Sequence, residues 1–251
     1  MEVVAEVLEQ GATPIWRNPV WSKRFPWLIQ GITGTGADGG FDLGLFGDQP
    51  VGAAMQRWRE LIDHAGLPGA VHSRQVHGGE IYLHQQVGWK GLLVMNGFDG
   101  HVAAIPGLML TVSIADCVPV AIIDAESRVV SLVHAGWRGV AAGIAEKAVE
   151  MLVDLGSRRE SLHAHSGPSI CGDCYEVGPE VHRAVNGTET VPENSAPIDL
   201  RASLSERVVG RGVPGENVTI SAHCTRCGPG SFFSHRGGSS ARQMSILGRR
   251  Y

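Results

Sequence analysis

Three short segments set metal-grade side chains at glycine-rich turns: His72-Ser-Arg-Gln-Val-His77-Gly-Gly, Ala115-Asp-Cys117 and His134-Ala-Gly-Trp-Arg138-Gly. In the last two, a hydrophobic strand-like run delivers a thiol or an imidazole at its end, where α/β folds place their sites. One cysteine and two histidines suit a borderline-soft dication such as zinc or copper. Three protein ligands leave a fourth position open, the mark of a catalytic rather than a structural centre. A water in that position is acidified toward neutrality and becomes a nucleophile. The same residues also have plainer readings. A lone cysteine between apolar strands, as Cys117 is, belongs to an ordinary core, and His134 could be a hydrogen-bonded strand-end histidine. His72 and His77 compete for one ligand position, because on a single strand residues five apart face opposite ways.

Other side chains bear on binding. Arg138 stands just before an expected helix start, where a guanidinium and free N–H groups together could hold a phosphate; it could equally pair with a local acid. Gly136 and Gly139 let the turn pass close to a ligand. Asp116, beside Cys117, could orient a ligand or carry a proton, or simply cap its turn. Arg236 and Arg242 are further anion-binding candidates. Phe232 and Phe233 could stack on a base or belong to a core strand. Cys171-Gly-Asp-Cys174 and Cys224-Thr-Arg-Cys227 are two Cys-x-x-Cys pairs, separated by 49 residues. They could meet as a structural zinc site, form local disulfides or stay as free thiols.

The elements that must position these groups follow from pattern. Residues 27–34 read as a first strand ending in a glycine-rich loop to Gly47. Residues 51–65 carry Met55, Trp58, Leu61 and Ile62 at helical spacing, and Gly66 with Pro68 ends that helix. Residues 69–84 read as extended, with a turn at Gly78-Gly79. The apolar run from Gly107 to Ile123 is near transmembrane length, but Asp116 and Pro119 interrupt it. It is read as two buried strands around the Ala-Asp-Cys turn. Arg128–Val133 is a strand, and one helix from about Val140 to Leu155 follows, closed by Gly156. His163–Ser166 is a strand, 178–186 and 199–210 are helices, 187–197 is a surface loop, and 217–224 is a late strand. No composition shift marks a boundary, so one α/β-type domain over 1–251 is expected.

Composition excludes several classes. Thirty-four of the 251 residues are glycine, roughly twice the usual share of about 7%. They show no three-residue period and no Gly/Ser tract, which excludes collagen and flexible linker. Hydrophobic residues at 43% exclude disorder. A net charge of −4 argues against nucleic acid and anionic membrane as partners. Five cysteines are too few, and odd in number, for a disulfide scaffold. Glu2 and Glu6 stand where a signal peptide needs positive charge, so a cytoplasmic location is expected.

Five stretches carry a resemblance: residues 75–81 (QVHGGEI), 115–124 (ADCVPVAIID), 130–144 (VSLVHAGWRGVAAGI), 167–181 (GPSICGDCYEVGPEV) and 224–244 (CTRCGPGSFFSHRGGSSARQM). Together they resemble the multicopper polyphenol oxidase (laccase-domain) family, also described as purine nucleoside phosphorylases and adenosine deaminases. The resemblance implies a four-layer α/β/β/α sandwich with mixed sheets in a single domain. It implies one zinc bound by His77, Cys117 and His134, and it selects His77 over His72. Four features depart from the family pattern: Gly97 where Arg or Lys stands two residues before the aligned Asp99, Ile114 where Thr precedes Ala-Asp-Cys, Gly-Phe-Asp-Leu-Gly at 40–44 where Ser-Leu-Asn-Leu-Gly is usual, and an arginine absent from the glycine loop that precedes it. The resemblance implies that they lie in the part of the family that helps shape the substrate pocket.

The resemblance implies a zinc-dependent enzyme whose small-molecule substrates are a purine nucleoside and phosphate: adenosine deamination, and phosphorolysis of adenosine, inosine and methylthioadenosine. Three competing functions stand beside it. A copper polyphenol oxidase would need many more His and Cys ligands, commonly as repeated His-x-His pairs; the chain has one, His163-Ala-His165. A Cys–His amidase would use Cys117 as nucleophile and His134 as base. A binding protein would keep the scaffold without catalysis.

Overall fold

The computed structural model describes residues 1–47, 49–86 and 88–251. The chain opens with β1 (Glu2–Val4), β2 (Val7–Leu8), β3 (Ile15–Arg17) and α1 (Pro19–Arg24). The Asn18 side chain caps α1 by accepting the Trp21 N–H at 3.0 Å. Next come β4 (Leu28–Thr33), α2 (Val51–Ala65), β5 (Gly69–Arg74), β6 (Ile81–His84), β7 (Gly91–Asn96) and β8 (Gly100–Ala103). The centre of the chain is β9 (Leu108–Ile114), β10 (Val118–Asp124), β11 (Val130–Ala135), α3 (Trp137–Ala141) and α4 (Ile144–Asp154). The last third holds β12 (Leu162–Ser166), β13 (Glu176–Val177), α5 (Pro179–Asn186), β14 (Ala196–Pro197), α6 (Leu200–Gly210), β15 (Val218–Ser221) and β16 (Gln243–Arg249).

Two seven-stranded mixed sheets form the middle of the molecule. One has the order β1-β15-β12-β10-β11-β8-β6, the other β2-β3-β4-β16-β9-β5-β7. Strand alternation sorts the core into three strata. In β9, Leu108, Leu110 and Val112 face the opposite sheet, while Met109 faces Trp58 and Leu61 of α2. In β10, Val118, Val120 and Ile122 face the helices α3 to α6, while Ile123 joins the layer between the sheets. Each sheet is thus buried on both faces, which explains the unbroken apolar runs in their central strands. The order is helix, sheet, sheet, helices, the α/β/β/α sandwich expected.

The helix over 51–65 is as read, and it closes at Gly66 with φ +66°. Four readings change. The strand over 28–33 is not the first, because three short strands and a helix precede it. The single helix expected over Val140–Leu155 is two, broken at Gly143, whose φ of +72° no helix interior accepts. The apolar run from Gly107 becomes β9 and β10, but these lie in different sheets, and the Ala-Asp-Cys turn is where the chain crosses between them. Strand β16, in the middle of its sheet, has no counterpart among the elements expected from sequence. Among the described residues no helix is long and apolar enough to cross a membrane.

Candidate metal centre and its cleft

The two sheets each supply one metal-capable side chain, and the crossover supplies the third. His77 lies in the loop after β5, Cys117 ends the Ala-Asp-Cys turn, and His134 stands near the end of β11. One donor atom from each lies within 4.8 Å of the other two. The His77 and His134 rings meet edge to face with centroids 4.9 Å apart. His77 is exposed, Cys117 half-buried and His134 buried, so the group opens on one side. Strand β5 stops at Arg74, and His77 sits beyond it with φ +59°. The choice between His72 and His77 is therefore not one of strand faces. His72 is buried, with Nδ1 3.1 Å from the Thr111 hydroxyl, a structural role.

Asp99 builds this centre, a function the residue types alone did not signal. Its fully buried carboxylate accepts the backbone N–H groups of Val76 at 3.2 Å, His77 at 2.9 Å and Gly78 at 2.7 Å. Three successive N–H groups around one anion make a nest, and they hold His77 in its left-handed conformation. The Oδ1 atom also lies 3.0 Å from His134 Nδ1. Nδ1 is thereby the donor and Nε2 is left for a metal, the usual carboxylate–histidine arrangement. Burial, opposed by the hydrogen bonds from His134 and the backbone, leaves the Asp99 carboxyl below the ordinary aspartate value.

Charges within the centre support one another. Burial would raise the Cys117 thiol, but His134 and hydrogen bonds from both histidines bring it down to about 6. Burial would lower His134, but the Cys117 thiolate and Asp99 raise it to about 9. Each group thus favours the charged form of the other. Gly136 is required here: a Cβ on it would stand 3.0 Å from Cys117 Sγ and 3.2 Å from the His77 ring. A Cβ on Gly139 would come 3.2 Å from the Gly78 carbonyl oxygen, pressing the turn against the His77 loop.

The centre forms part of the wall of a cleft of about 580 Å³. Arg138, Arg236 and Arg242 line it, joined by Arg74, which sequence reading missed. Arg138 lies over the Trp137 ring at 4.1 Å, and Arg236 over Tyr175 at 5.0 Å. Arg138 is inside the first turn of α3 rather than before it. Arg242 partly serves its own loop, donating to the Ser240 and Ala241 carbonyls. The aromatic faces in the cleft are Phe46, Trp137 and Tyr175. Phe232 and Phe233 are buried, Phe232 packing against Trp16, and they take the core reading. Asp116, with φ +88°, accepts the Thr225 hydroxyl at 2.6 Å and the Arg236 N–H at 2.7 Å. Its carboxylate ties the loop that carries Arg236 to the turn that carries Cys117.

The donor set fits a single borderline-soft dication. It does not fit a multinuclear copper cluster. Among the described residues, the groups of three or more metal-capable side chains are this one and the four cysteines 171, 174, 224 and 227. His163 and His165 are not part of either: His163 packs on Phe25, and His165 bonds Glu6 and Thr219.

Comparisons with known proteins identify the family and the fold. The sequence model of the family described as multi-copper polyphenol oxidoreductase laccase matches residues 34–250. An adenosine deaminase from an unknown prokaryotic organism is 40% identical over 151 residues, 57% of this chain and 58% of that protein. That match spans less than two thirds of the deaminase. A purine nucleoside phosphorylase of Deinococcus radiodurans is 33% identical over 226 residues, 87% of this chain and 85% of that one. Another, from Mycobacterium tuberculosis, is 36% identical over 204 residues, 78% and 79% of the two chains. Among solved structures, the hypothetical protein YfiH of Bacillus licheniformis superposes with a TM-score of 0.87 at 25% identity, over 96% of this chain and 98% of that one. YlmD of Geobacillus stearothermophilus gives 0.84 at 26% identity, over 98% and 100%. All three metal-capable residues fall inside the matched region, and the two phosphorylases cover most of both chains, so the protein belongs to the family described as multi-copper polyphenol oxidoreductase laccases.

Proposed function

We propose that this protein is a zinc-dependent purine nucleoside enzyme, working as one domain, that deaminates adenosine and cleaves adenosine, inosine and methylthioadenosine with phosphate. The observation that carries this reading is a Cys/His₂ group opening into a cleft lined by arginines and aromatic faces. The names of the relatives support the substrate class.

His77, Cys117 and His134 would hold the metal. Zinc, when bound, supplies Lewis acidity and lowers the pKa of a water. Asp99 keeps the His134 tautomer fixed and the His77 loop closed. Trp137 and Tyr175 offer flat apolar faces for a purine ring. Arg138 and Arg236 lie over those same rings, where their charge would meet a phosphate beside the nucleoside. Asp116 is a positioning residue for the Arg236 loop.

The test is to incubate the metal-controlled protein with adenosine and with inosine, with and without phosphate. Inosine formed from adenosine supports deamination. Free base formed only with phosphate supports phosphorolysis. No turnover by zinc-loaded protein would refute the reading, as would stoichiometric zinc at this centre in both Cys117→Ala and His134→Ala.

A second reading has its own observation. Cys117, His134 and Asp99 form a thiolate–imidazole–carboxylate series of the kind a cysteine hydrolase uses. Amide hydrolysis that survives chelation and dies on alkylation of Cys117 would favour it.

A further inference from the structure

We propose that Cys171, Cys174, Cys224 and Cys227 bind a second, structural zinc ion that staples the loop after β12 to the loop after β15, behind the cleft. The four sulfurs come from segments far apart in sequence, yet all lie within 4.8 Å of one another. None of the four is joined to another in a disulfide. The Cys171 and Cys227 sulfurs are 3.8 Å apart. A tetrahedral ion with metal–sulfur bonds of about 2.3 Å has sulfur–sulfur edges of about 3.8 Å, whereas a disulfide needs about 2.05 Å.

The backbone around the sulfurs is shaped as for a metal knuckle. Three N–H groups point at Cys224 Sγ: Cys171 at 3.3 Å, Arg226 at 3.4 Å and Cys227 at 3.4 Å. Such donors stabilise a thiolate, the form a metal requires. The Gly228 N–H returns to the Cys224 carbonyl at 3.1 Å, and a Cβ on Gly228 would collide with that oxygen. The other pair turns the same way, with Cys174 N–H on the Cys171 carbonyl at 3.1 Å. The two loops also touch directly, Ser169 bridging Cys224 and Arg226 donating to the Cys174 carbonyl at 2.9 Å. Four thiolates leave no open position, so the site is closed and structural, and an all-sulfur tetrahedron suits zinc.

Its place in the fold gives it a purpose. Thr225, between two of the cysteines, donates to the Asp116 carboxylate, and the Ile170 N–H donates to the Asp116 carbonyl at 3.0 Å. Tyr175, next to Cys174, lines the cleft. The ion would fix the wall against which Asp116 and Tyr175 are set.

The experiment uses the full chain purified under zinc, with metal content measured per chain. Wild type is expected to hold about two zinc ions, and His77→Ala/Cys117→Ala about one. Cobalt substituted into that variant should show the charge-transfer absorption of four thiolates. Cys171→Ser/Cys227→Ser should lose one zinc and keep the one at His77. The variant that keeps all four cysteines reads the site even if the serine variant fails to fold. No zinc in His77→Ala/Cys117→Ala, an iron spectrum in place of zinc, or a mass deficit showing disulfides would each overturn the proposal. None of these outcomes depends on nucleoside turnover.

Discussion

Replacing Asp99 with asparagine should damage the metal centre although Asp99 binds no metal. The carboxylate receives four donors, two on each oxygen: His77 N–H and His134 Nδ1–H on Oδ1, Val76 and Gly78 N–H on Oδ2. An amide has one accepting oxygen. If that oxygen faces His134, its NH₂ faces two backbone donors that lose their partner. If it faces Val76 and Gly78, the His77 N–H is orphaned. His134 must then give up its Nδ1 proton and keep one on Nε2, the atom the metal needs. Each buried unpaired N–H costs about 1–3 kcal/mol, so Asp99→Asn should lose roughly 2–6 kcal/mol. At about 2–4 °C per kcal/mol for a chain of this size, Tm should fall by roughly 4–24 °C. Zinc affinity should fall about 10–100-fold, or roughly 1.4–2.7 kcal/mol. The assays are thermal unfolding of chelated protein and competition for zinc against a chromophoric chelator. An Asp99→Asn protein with Tm within about 2 °C of wild type and unchanged zinc affinity would refute the reasoning.

Other outcomes follow from the same structure. Gly136→Ala should lose zinc from the His77 centre with little change in secondary structure by circular dichroism, because the added methyl faces the ligands and not the core; retained zinc would count against so close an approach of this turn to the ligands. Arg138→Ala and Arg236→Ala should each raise KM for phosphate about tenfold or more, the value of one charge-assisted contact, with KM for nucleoside moving less; steady-state kinetics at varied phosphate checks this. Burial holds His72, His84 and His163 at about 4, and burial with the charges of His84 and His72 holds His101 at about 3. These folded values lie below the unfolded value of about 6.5, so the unfolded chain binds more protons between the two. Their contribution is intact above pH 6.5 and is lost as pH falls toward 4. Tm should decline across that window, and a flat profile there would contradict the buried neutral histidines.

Much of the scaffold was legible because its signals were local. Helix 51–65 has an amphipathic stripe and a left-handed glycine stop, and both survive in the fold. What was hidden depended on partners distant in sequence. Strand β16 carries Gln243 and Ser245 among its apolar residues, which blurs the period-two pattern. Gln243 is buried because it bonds the Phe233 N–H and carbonyl, a pairing no window reveals. The break at Gly143 was masked because Val140, Ile144 and Ala148 continue one stripe across it. The His77-Cys117-His134 group was suggested by residue type and fixed by family resemblance. Asp99 became meaningful only when the sheets brought it under the His77 loop. The two Cys-x-x-Cys pairs were visible, but their meeting rests on the parallel alignment of β12 and β15.

One metal-capable side chain rises from each sheet and the third sits on the turn that crosses between them. A bound ion at this centre is therefore a tie across the mid-plane of the molecule, and binding and layer contact are thermodynamically linked. Whatever loosens the layer between the sheets must weaken metal binding by the same free energy with which the metal tightens the layer. Truncations at Leu110 or Leu132, deep in that layer and not among the ligands, would then appear first in a metal titration, before any loss of secondary structure.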